Sequence, residues 1–241
     1  MQSYSITDVG MKRKVNQDFV YRCEHEIGKL SNLFIVADGM GGHNAGDYAS
    51  KYCVESVIHY IETSDRQTSI SILDGAIHYA NQNLKEKASE ISELEGMGTT
   101  LVAATIEENR MIVANIGDSR LYVINEQIKQ ITKDHSLVQI MVENGEISPE
   151  DAKLHPNKNI ITRAIGGLDN NANADFFEVD LNVGDIVLLC SDGLSNMLTD
   201  EDIFQVIKQL SENLDKACEV LVEQANTLGG KDNIAIILMK V

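Results

Sequence analysis

Four aspartates stand within two residues of short apolar segments, and such positions can bring carboxylates together at the edge of a shared core. They are Asp38, Asp118, Asp192 and Asp232. Any one aspartate beside a glycine more simply marks a turn. If the strands align, however, the carboxylates converge and repel one another unless protons or cations neutralise them. Because all-oxygen ligands favour magnesium or manganese over zinc, the pattern predicts a site for hard divalent cations.

The net charge of the chain limits the kinds of macromolecule that it can bind. The chain has 37 Asp and Glu against 20 Lys and Arg, a formal net charge of −17. This excess of negative charge disfavours nucleic acids and anionic membranes. Apolar runs fall short of the ~20 residues that a membrane span needs, and the N-terminal residues lack a basic and apolar leader. We therefore expect a cytoplasmic protein with no nucleic-acid or membrane partner.

Seven short apolar or β-branched segments predict the strands that position the aspartates. They are 33–37, 100–106, 111–116, 121–124, 128–131, 186–190 and 234–239. The breaks between residues 99 and 132 are too short for crossover helices, which predicts an antiparallel meander there. Helical periodicity appears in four further segments. They are 45–61, 70–91, 137–142 and 203–228.

Helices before and after a run of antiparallel strands indicate an α+β fold. We expect two packed antiparallel β-sheets, a β-sandwich with helices on both outer faces in α-β-β-α layers. The 241 residues suit a single domain, 1–241, because no linker or repeat divides them. Segment 143–163 is polar and contains both prolines, so it predicts a flap beside the site.

Eight motifs spread from Gly10 to Asn233 resemble, in family order, the metal-dependent protein phosphatases of type 2C, most closely the compact bacterial members. They are Gly10-x-x-Arg13-x-x-Asn16-Gln17-Asp18, Val36-Ala37-Asp38-Gly39-Met40-Gly41-Gly42-His43, Gly98-Thr99-Thr100, Asn115-Ile116-Gly117-Asp118-Ser119-Arg120, Asp134-His135-Ser136, His155-Pro156 through Thr162-Arg163-Ala164-Ile165-Gly166, Ser191-Asp192-Gly193-Leu194 and Asp232-Asn233. Each alone is a weak pattern. Together and in order, they make a coincidental match very improbable.

The resemblance implies a role for each site residue. Asp38 would bridge two cations, Mn²⁺ or Mg²⁺, with the Gly39 carbonyl, Asp192 and Asp232 as further ligands. Asp18 would support the ligands through water, and Arg13 would clamp the phosphate. Asp118 would share a third cation with Asp192.

The same resemblance implies a serine/threonine phosphoprotein phosphatase. A water bridging the cations would attack phosphorus without a covalent phosphoenzyme, and two ions can supply both the nucleophile and charge relief. The partners would be phosphorylated proteins, including a bacterial serine/threonine protein kinase and its substrates, with a monomer as the default.

Two positions depart from the family pattern. Met40 stands where animal members have a histidine proposed as the general acid, and a thioether cannot donate a proton. His43 could substitute, water on a metal could protonate the leaving oxygen, or the step could be slower. Gln17 replaces a carboxylate often found before Asp18, which predicts weaker metal affinity. His135 could be a base, although we interpret its segment as the start of a helix.

Two other functions share features with this sequence. A catalytically silent module of the same fold, acting by binding or regulation, would be indicated by loss of the metal aspartates. Asp38, Asp192 and Asp232 are all present. A metal-dependent nuclease shares the two-metal chemistry but conflicts with the net charge of −17.

Overall fold

The computed structural model describes residues 1–41, 45–167 and 172–241, so His43 lies outside the described residues. Twelve strands occur in these ranges: β1 Gln2–Asp8, β2 Asp18–Cys23, β3 Leu33–Met40, β4 Gly98–Thr99, β5 Leu101–Glu107, β6 Arg110–Ile116, β7 Arg120–Ile124, β8 Ile128–Gln130, β9 Ile165–Gly166, β10 Asp175–Asp180, β11 Ile186–Cys190 and β12 Ile234–Lys240. The α-helices described there are α1 Ala45–Thr63, α2 Ser69–Glu90, α3 Leu137–Glu143, α4 Pro149–Leu154, α5 Asp192–Ser195, α6 Asp200–Gln209 and α7 Leu214–Thr227, with a 3-10 turn at Ser92–Leu94.

The strands form two antiparallel sheets that pack face to face. A five-stranded sheet has the order β1-β12-β11-β7-β8, and a seven-stranded sheet has the order β10-β6-β5-β3-β4-β9, with β2 also paired to β3. Side chains of both sheets fill the layer between them, among them Phe34, Val36, Val113, Leu189 and Ile237. Helices α1 and α2 cover one outer face, and α5, α6 and α7 cover the other. The predicted α-β-β-α sandwich is therefore confirmed.

The sequence predicted one antiparallel meander between residues 99 and 132. This prediction was wrong, because the strands of this segment belong to two different sheets. Strands β5 and β6 pair in one sheet, whereas β7 and β8 pair in the other. The chain crosses between sheets at the 117–119 turn, where Gly117 has a φ of 113°. Short connections exclude a crossover helix, but they permit a strand to leave its sheet at a corner.

The single helix predicted over 203–228 is two helices in the structure. Helix α6 ends at Gln209, and the Asn213 side chain accepts a hydrogen bond from the Lys216 amide to begin α7. The helical periodicity of the sequence continues across the break between α6 and α7, because both helices bury apolar faces against the five-stranded sheet. The N-cap residue Asn213 marks the start of α7 more reliably than the periodicity does.

Strands β1, β2 and β10 were not predicted. Each lies at the edge of its sheet and is mostly half-buried. Their sequences mix polar and apolar residues, so they lack the continuous apolar run of the central strands. The 143–163 segment includes α4, none of whose residues is buried. No helix in the described ranges is long and apolar enough to cross a bilayer.

Candidate active site

Asp38 reaches the site because it continues the inner face of β3. Alternate residues of a strand share one face, so Asp38 follows the buried Phe34 and Val36 into the layer between the sheets. Asp18 is its direct partner on β2, and directly paired residues project to the same side. The two carboxylates therefore meet at one open end of the sandwich.

Thr99 and Thr100 hold the backbone of Asp38. The Asp38 amide donates to Thr100 Oγ1 at 3.0 Å. The Asp38 carbonyl accepts from the Thr100 amide at 2.9 Å and from Thr99 Oγ1 at 2.9 Å. Gly39, the next residue, packs so closely against the Gly46 carbonyl that a Cβ could not fit. These contacts fix the direction in which Asp38 and the Gly39 peptide face.

Asp192 and Asp232 enter from the five-stranded sheet. Asp192 is the first residue of α5, directly after Ser191, and Asp232 precedes β12. The Ser191 hydroxyl accepts from the Ala235 amide at 2.9 Å and donates to Asp18 Oδ2 at 2.6 Å. Ser191 therefore joins the two sheets at the site, and its hydrogen bond favours the ionised form of Asp18.

Arg13 lies on the loop that passes over the site. The Asn233 side chain donates to the carbonyls of Val9 and Val15 at 2.9 and 3.0 Å and accepts from the Gln17 amide at 2.9 Å. These three hydrogen bonds fix both ends of the loop. Arg13 Nη2 donates to Asp232 Oδ2 at 2.8 Å, and its side chain is 49% exposed. The guanidinium is thus at the rim of the aspartate cluster and accessible to a ligand.

Asp118 lies in the crossover between the sheets. Its neighbour Ser119 hydrogen-bonds Thr100 through their hydroxyls at 2.8 Å, and Gly117 packs directly on the Thr100 side chain. A larger residue than glycine at 117 would collide there. The same threonine therefore positions both the Asp38 strand end and the Asp118 turn.

Crowding of the carboxylates shifts their pKa values upward. Burial raises the pKa of Asp18 to about 7, against the opposing hydrogen bond from Ser191. Burial, and then the charges of Asp18 and Asp192, raise the pKa of Asp38 well above its usual range. Burial and then Asp232 raise the pKa of Asp192 to about 6. Burial and then Asp192 raise the pKa of Asp118. Ionising all four carboxylates at neutral pH therefore costs free energy that bound cations could offset.

The donor set fits hard divalent cations. Asp18, Asp118 and Asp192 each have a buried Oδ1 atom that lacks a hydrogen-bond partner within the described residues. A buried carboxylate oxygen without a donor is costly unless a cation or a proton occupies it. Within the described residues, no group of three or more acidic, histidine or cysteine side chains is already placed to hold one metal ion. The fit therefore rests on the unpaired oxygens and on the raised pKa values.

The structure thus brings together all the site residues predicted from sequence that it describes. The hydrogen-bonding roles of Thr100, Ser191 and Asn233 were not predicted, although each residue lies inside one of the eight motifs. Ser191 and Asn233 are small polar residues directly beside a predicted aspartate, which was a usable signal, whereas Thr100 is far from all of the predicted aspartates in sequence. Also missed was the ion pair of Arg120 with Asp134, with nitrogen to oxygen distances of 2.7 to 3.1 Å.

A cleft of about 320 Å³ adjoins the site. Asp118 and Asp192 lie at its walls, together with Pro149 and Lys158 of segment 143–163. Lys158 Nζ donates to Asn196 Oδ1 at 3.2 Å, which connects this segment to the end of α5. The cleft gives an extended ligand access to the aspartates from the side of segment 143–163.

Comparison with known proteins gives one consistent result. The family model for protein phosphatase 2C matches residues 11–225. The serine/threonine phosphatase stp of Listeria innocua is 41% identical, over 97% of this chain and 93% of that protein. A solved serine/threonine phosphatase of S. agalactiae has a TM-score of 0.91 at 37% identity, covering 100% of this chain and 99% of that chain.

A second solved structure bears on the metal. The catalytic domain of the serine/threonine protein phosphatase PstP in complex with 2 manganese ions has a TM-score of 0.85 at 34% identity, covering 98% of this chain and 96% of that chain. The family match spans most of the present chain, and its aspartates lie where two sheets meet. The chain belongs to the protein phosphatase 2C family of metal-dependent serine/threonine phosphatases.

Proposed function

We propose that the chain hydrolyses phosphoserine and phosphothreonine on proteins by direct attack of water on phosphorus, without a covalent phosphoenzyme. The observation that carries this proposal is the cluster of aspartates between the two sheets, with unpaired buried oxygens and an accessible arginine at its rim. Cations held by such a cluster, together with the arginine, would offset the negative charge at the transferring phosphoryl group.

The residues that would hold the cations follow from the site. Asp38, Asp192, Asp232 and the Gly39 carbonyl would hold two, and Asp118 with Asp192 would hold a third, with Mn²⁺ or Mg²⁺ in each case. Bound divalent cations supply a nucleophile from water at neutral pH and offset the phosphoryl charge. Asp18 would support the ligands from behind, held by its hydrogen bond with Ser191.

Arg13 would bind the phosphate oxygens. A guanidinium can donate two parallel hydrogen bonds to a phosphate, a geometry that an ammonium group lacks. In the structure its Nη2 atom is paired with Asp232 at 2.8 Å, so the side chain already points to the cluster. Binding of substrate then requires only that Arg13 exchange or share this partner.

The leaving oxygen needs a proton, and Met40 has none to donate. His43 or water on a bound cation would supply it, or the step would be slower, which are the three alternatives that the sequence predicts. Leaving groups that are already stable as anions need no such proton donor.

Phosphorylated proteins are the substrates of this family, and we propose a bacterial serine/threonine protein kinase and its targets as the specific partners. The net charge of −17 supports partners other than nucleic acids or anionic lipids. We further propose a monomer acting in the cytoplasm, with residues 143–163 as a flap that selects protein substrates.

The test is phosphate release from matched peptides bearing phosphothreonine or phosphotyrosine, with and without Mn²⁺. We expect Mn²⁺-dependent release that is at least ten times faster from phosphothreonine. No release with any divalent cation would support the silent binding module instead. Cleavage of DNA or RNA under the same conditions would support the nuclease.

A further inference from the structure

Asp118 lies in the short turn between β6 and β7, which belong to different sheets. Its Oδ1 atom is buried and has no hydrogen-bond partner within the described residues. The direction of this side chain therefore depends on what fixes the peptide between Gly117 and Asp118.

His135 binds both polar backbone groups of Gly117. The His135 amide donates to the Gly117 carbonyl at 2.8 Å, and the Gly117 amide donates to His135 Nδ1 at 3.1 Å. The ring is only 6% exposed. One residue, distant in sequence, thus holds the turn at two points.

The second bond fixes the tautomer of the ring. Because a backbone amide can only donate, Nδ1 must be the unprotonated nitrogen and Nε2 must carry the hydrogen. His135 Nε2 lies 3.1 Å from Asp175 Oδ2 and donates to it. Arg163 Nη1 donates to Asp175 Oδ1 at 2.8 Å and lies 3.3 Å from His135 Nε2. That last contact joins two donors and is not a hydrogen bond.

Strand β10 fixes the position of Asp175. This aspartate is the first residue of β10 and pairs with Asn115 on β6, two residues before Gly117. Burial lowers the pKa of His135, which agrees with a neutral ring that accepts from an amide.

The ring is not needed to start the neighbouring helix. Ser136 is the N-cap of α3, and its own hydroxyl accepts from the Gln139 amide at 3.3 Å. This cap is consistent with our interpretation of the 134–136 segment as the start of a helix. A helix start does not, however, explain why the imidazole of His135 is buried. Its contacts point instead to the turn that carries Asp118.

We propose that His135 is a positioning residue that holds the Gly117 peptide so that the Asp118 carboxylate faces Asp192 and the third cation. This inference rests on the proposed assignment of Asp118 as a metal ligand. It adds a residue that touches neither substrate nor metal, with Asp175 selecting the ring tautomer that the Gly117 amide requires.

A matched pair of substitutions separates positioning from simple packing. In His135→Asn, the amide oxygen lies near the place of Nδ1 and can still accept from Gly117. In His135→Gln, the amide nitrogen lies near the place of Nε2 and can bond Asp175 but not Gly117. Both variants are polar and smaller than histidine, and Asn leaves the larger cavity, so a packing defect would be greater in His135→Asn. The positioning role predicts the opposite order.

The first measurement is hydrogen exchange of the Gly117 amide in metal-free protein. We expect protection in the wild type and in His135→Asn, and at least tenfold faster exchange in His135→Gln. The second is calorimetric Mn²⁺ titration. We expect the weakest site to lose about 10- to 100-fold in affinity in His135→Gln, the range typical of supporting residues, with little change in His135→Asn. Equal losses in both variants, or none in either, would overturn the proposal.

Two controls keep the outcomes distinct. Nitrogen NMR of wild-type His135 should show a neutral ring protonated at Nε2, and a proton on Nδ1 would overturn the proposal even if neither variant folds. Asp118→Ala should lose the same weak cation as His135→Gln. If it keeps every cation, the metal assignment of Asp118 fails and this proposal fails with it. If Asp118→Ala loses the cation but His135→Gln does not, His135 alone is wrongly assigned.

Discussion

Metal-free protein should lose stability as the pH rises from about 4 to about 7, because the buried aspartates must then ionise together. Burial raises the pKa of Asp18 to about 7, whereas an aspartate in an unfolded chain has a pKa of about 3.9. Between these values the folded state holds a proton that the unfolded state has released. The contribution of Asp18 to stability is therefore complete below about pH 4 and is lost as the pH rises to about 7.

The size of this loss follows from the difference in pKa. About three pKa units at about 1.4 kcal/mol each give about 4 kcal/mol for Asp18, of which about 3 kcal/mol falls between pH 5 and pH 8. The free energy of unfolding of a domain is only about 5–15 kcal/mol. The aspartate cluster alone can therefore decide whether the metal-free protein is folded at neutral pH.

Asp38→Asn should partly reverse the loss. Burial, and then the charges of Asp18 and Asp192, raise the pKa of Asp38 well above its usual range, so ionising it in the metal-free protein costs free energy. A pair of like charges ~5 Å apart costs about 3 kcal/mol at an effective dielectric of about 20. The metal-free variant should therefore be about 3 kcal/mol more stable than the wild type at pH 8. Mn²⁺ should stabilise the wild type strongly but the variant little, because the bridging ligand is gone.

Urea denaturation of metal-stripped protein at pH 5 and pH 8, with Mn²⁺ then added back, measures both effects. The chain has no tryptophan, so far-ultraviolet circular dichroism is the suitable signal. Asp65→Asn, at an exposed position, is the matched control and should behave as the wild type. Wild-type stability that is equal at both pH values, or the same pH dependence in Asp38→Asn, would refute the reasoning.

Three further outcomes are expected. Chelation should abolish phosphatase activity and Mn²⁺ should restore it better than Ca²⁺, which prefers longer bonds and more ligands; full turnover in excess chelator would contradict the metal requirement. Arg13→Ala should raise KM for a phosphopeptide about tenfold or more, and Arg13→Lys should recover little of it because a point charge lacks the guanidinium fork; steady-state kinetics identical to wild type in both would remove Arg13 from the site. Asp118→Ala should bind one cation fewer and lose more activity on phosphoserine than on nitrophenyl phosphate, whose leaving group needs little protonation; an equal loss on both substrates would argue against a proton-donating role near Asp118.

Much of the site could be predicted from sequence because its residues sit at strand ends beside glycines. Asp38 lies near the end of β3, Asp192 follows β11 and Asp232 precedes β12. These strands are strongly apolar, so the placement of the three aspartates near one another followed from a shared core. The supporting contacts could not be predicted in this way. Ser191 and Asp18, for example, are 173 residues apart and lie on different sheets.

The errors concern places where local pattern and tertiary packing compete. The 117–119 turn has the length of a hairpin connection, yet β6 and β7 join different sheets because each buries one face between the sheets and the other under helices. The break between α6 and α7 is hidden in the same way by two helices that share one apolar surface. Periodicity reports which face is buried and not which element it is buried against.

The sequence by itself determined the layered fold, the clustering of the aspartates and the negative charge, since these depend on residue type and on the spacing of apolar residues along the chain. Only the tertiary structure decided which groups hold the aspartates in place. Register between strands brings Asp18 opposite Asp38, and the crossover brings Gly117 to His135. These are distances through space between segments far apart in the chain, and a hydrogen bond depends on them to within a few tenths of an ångström.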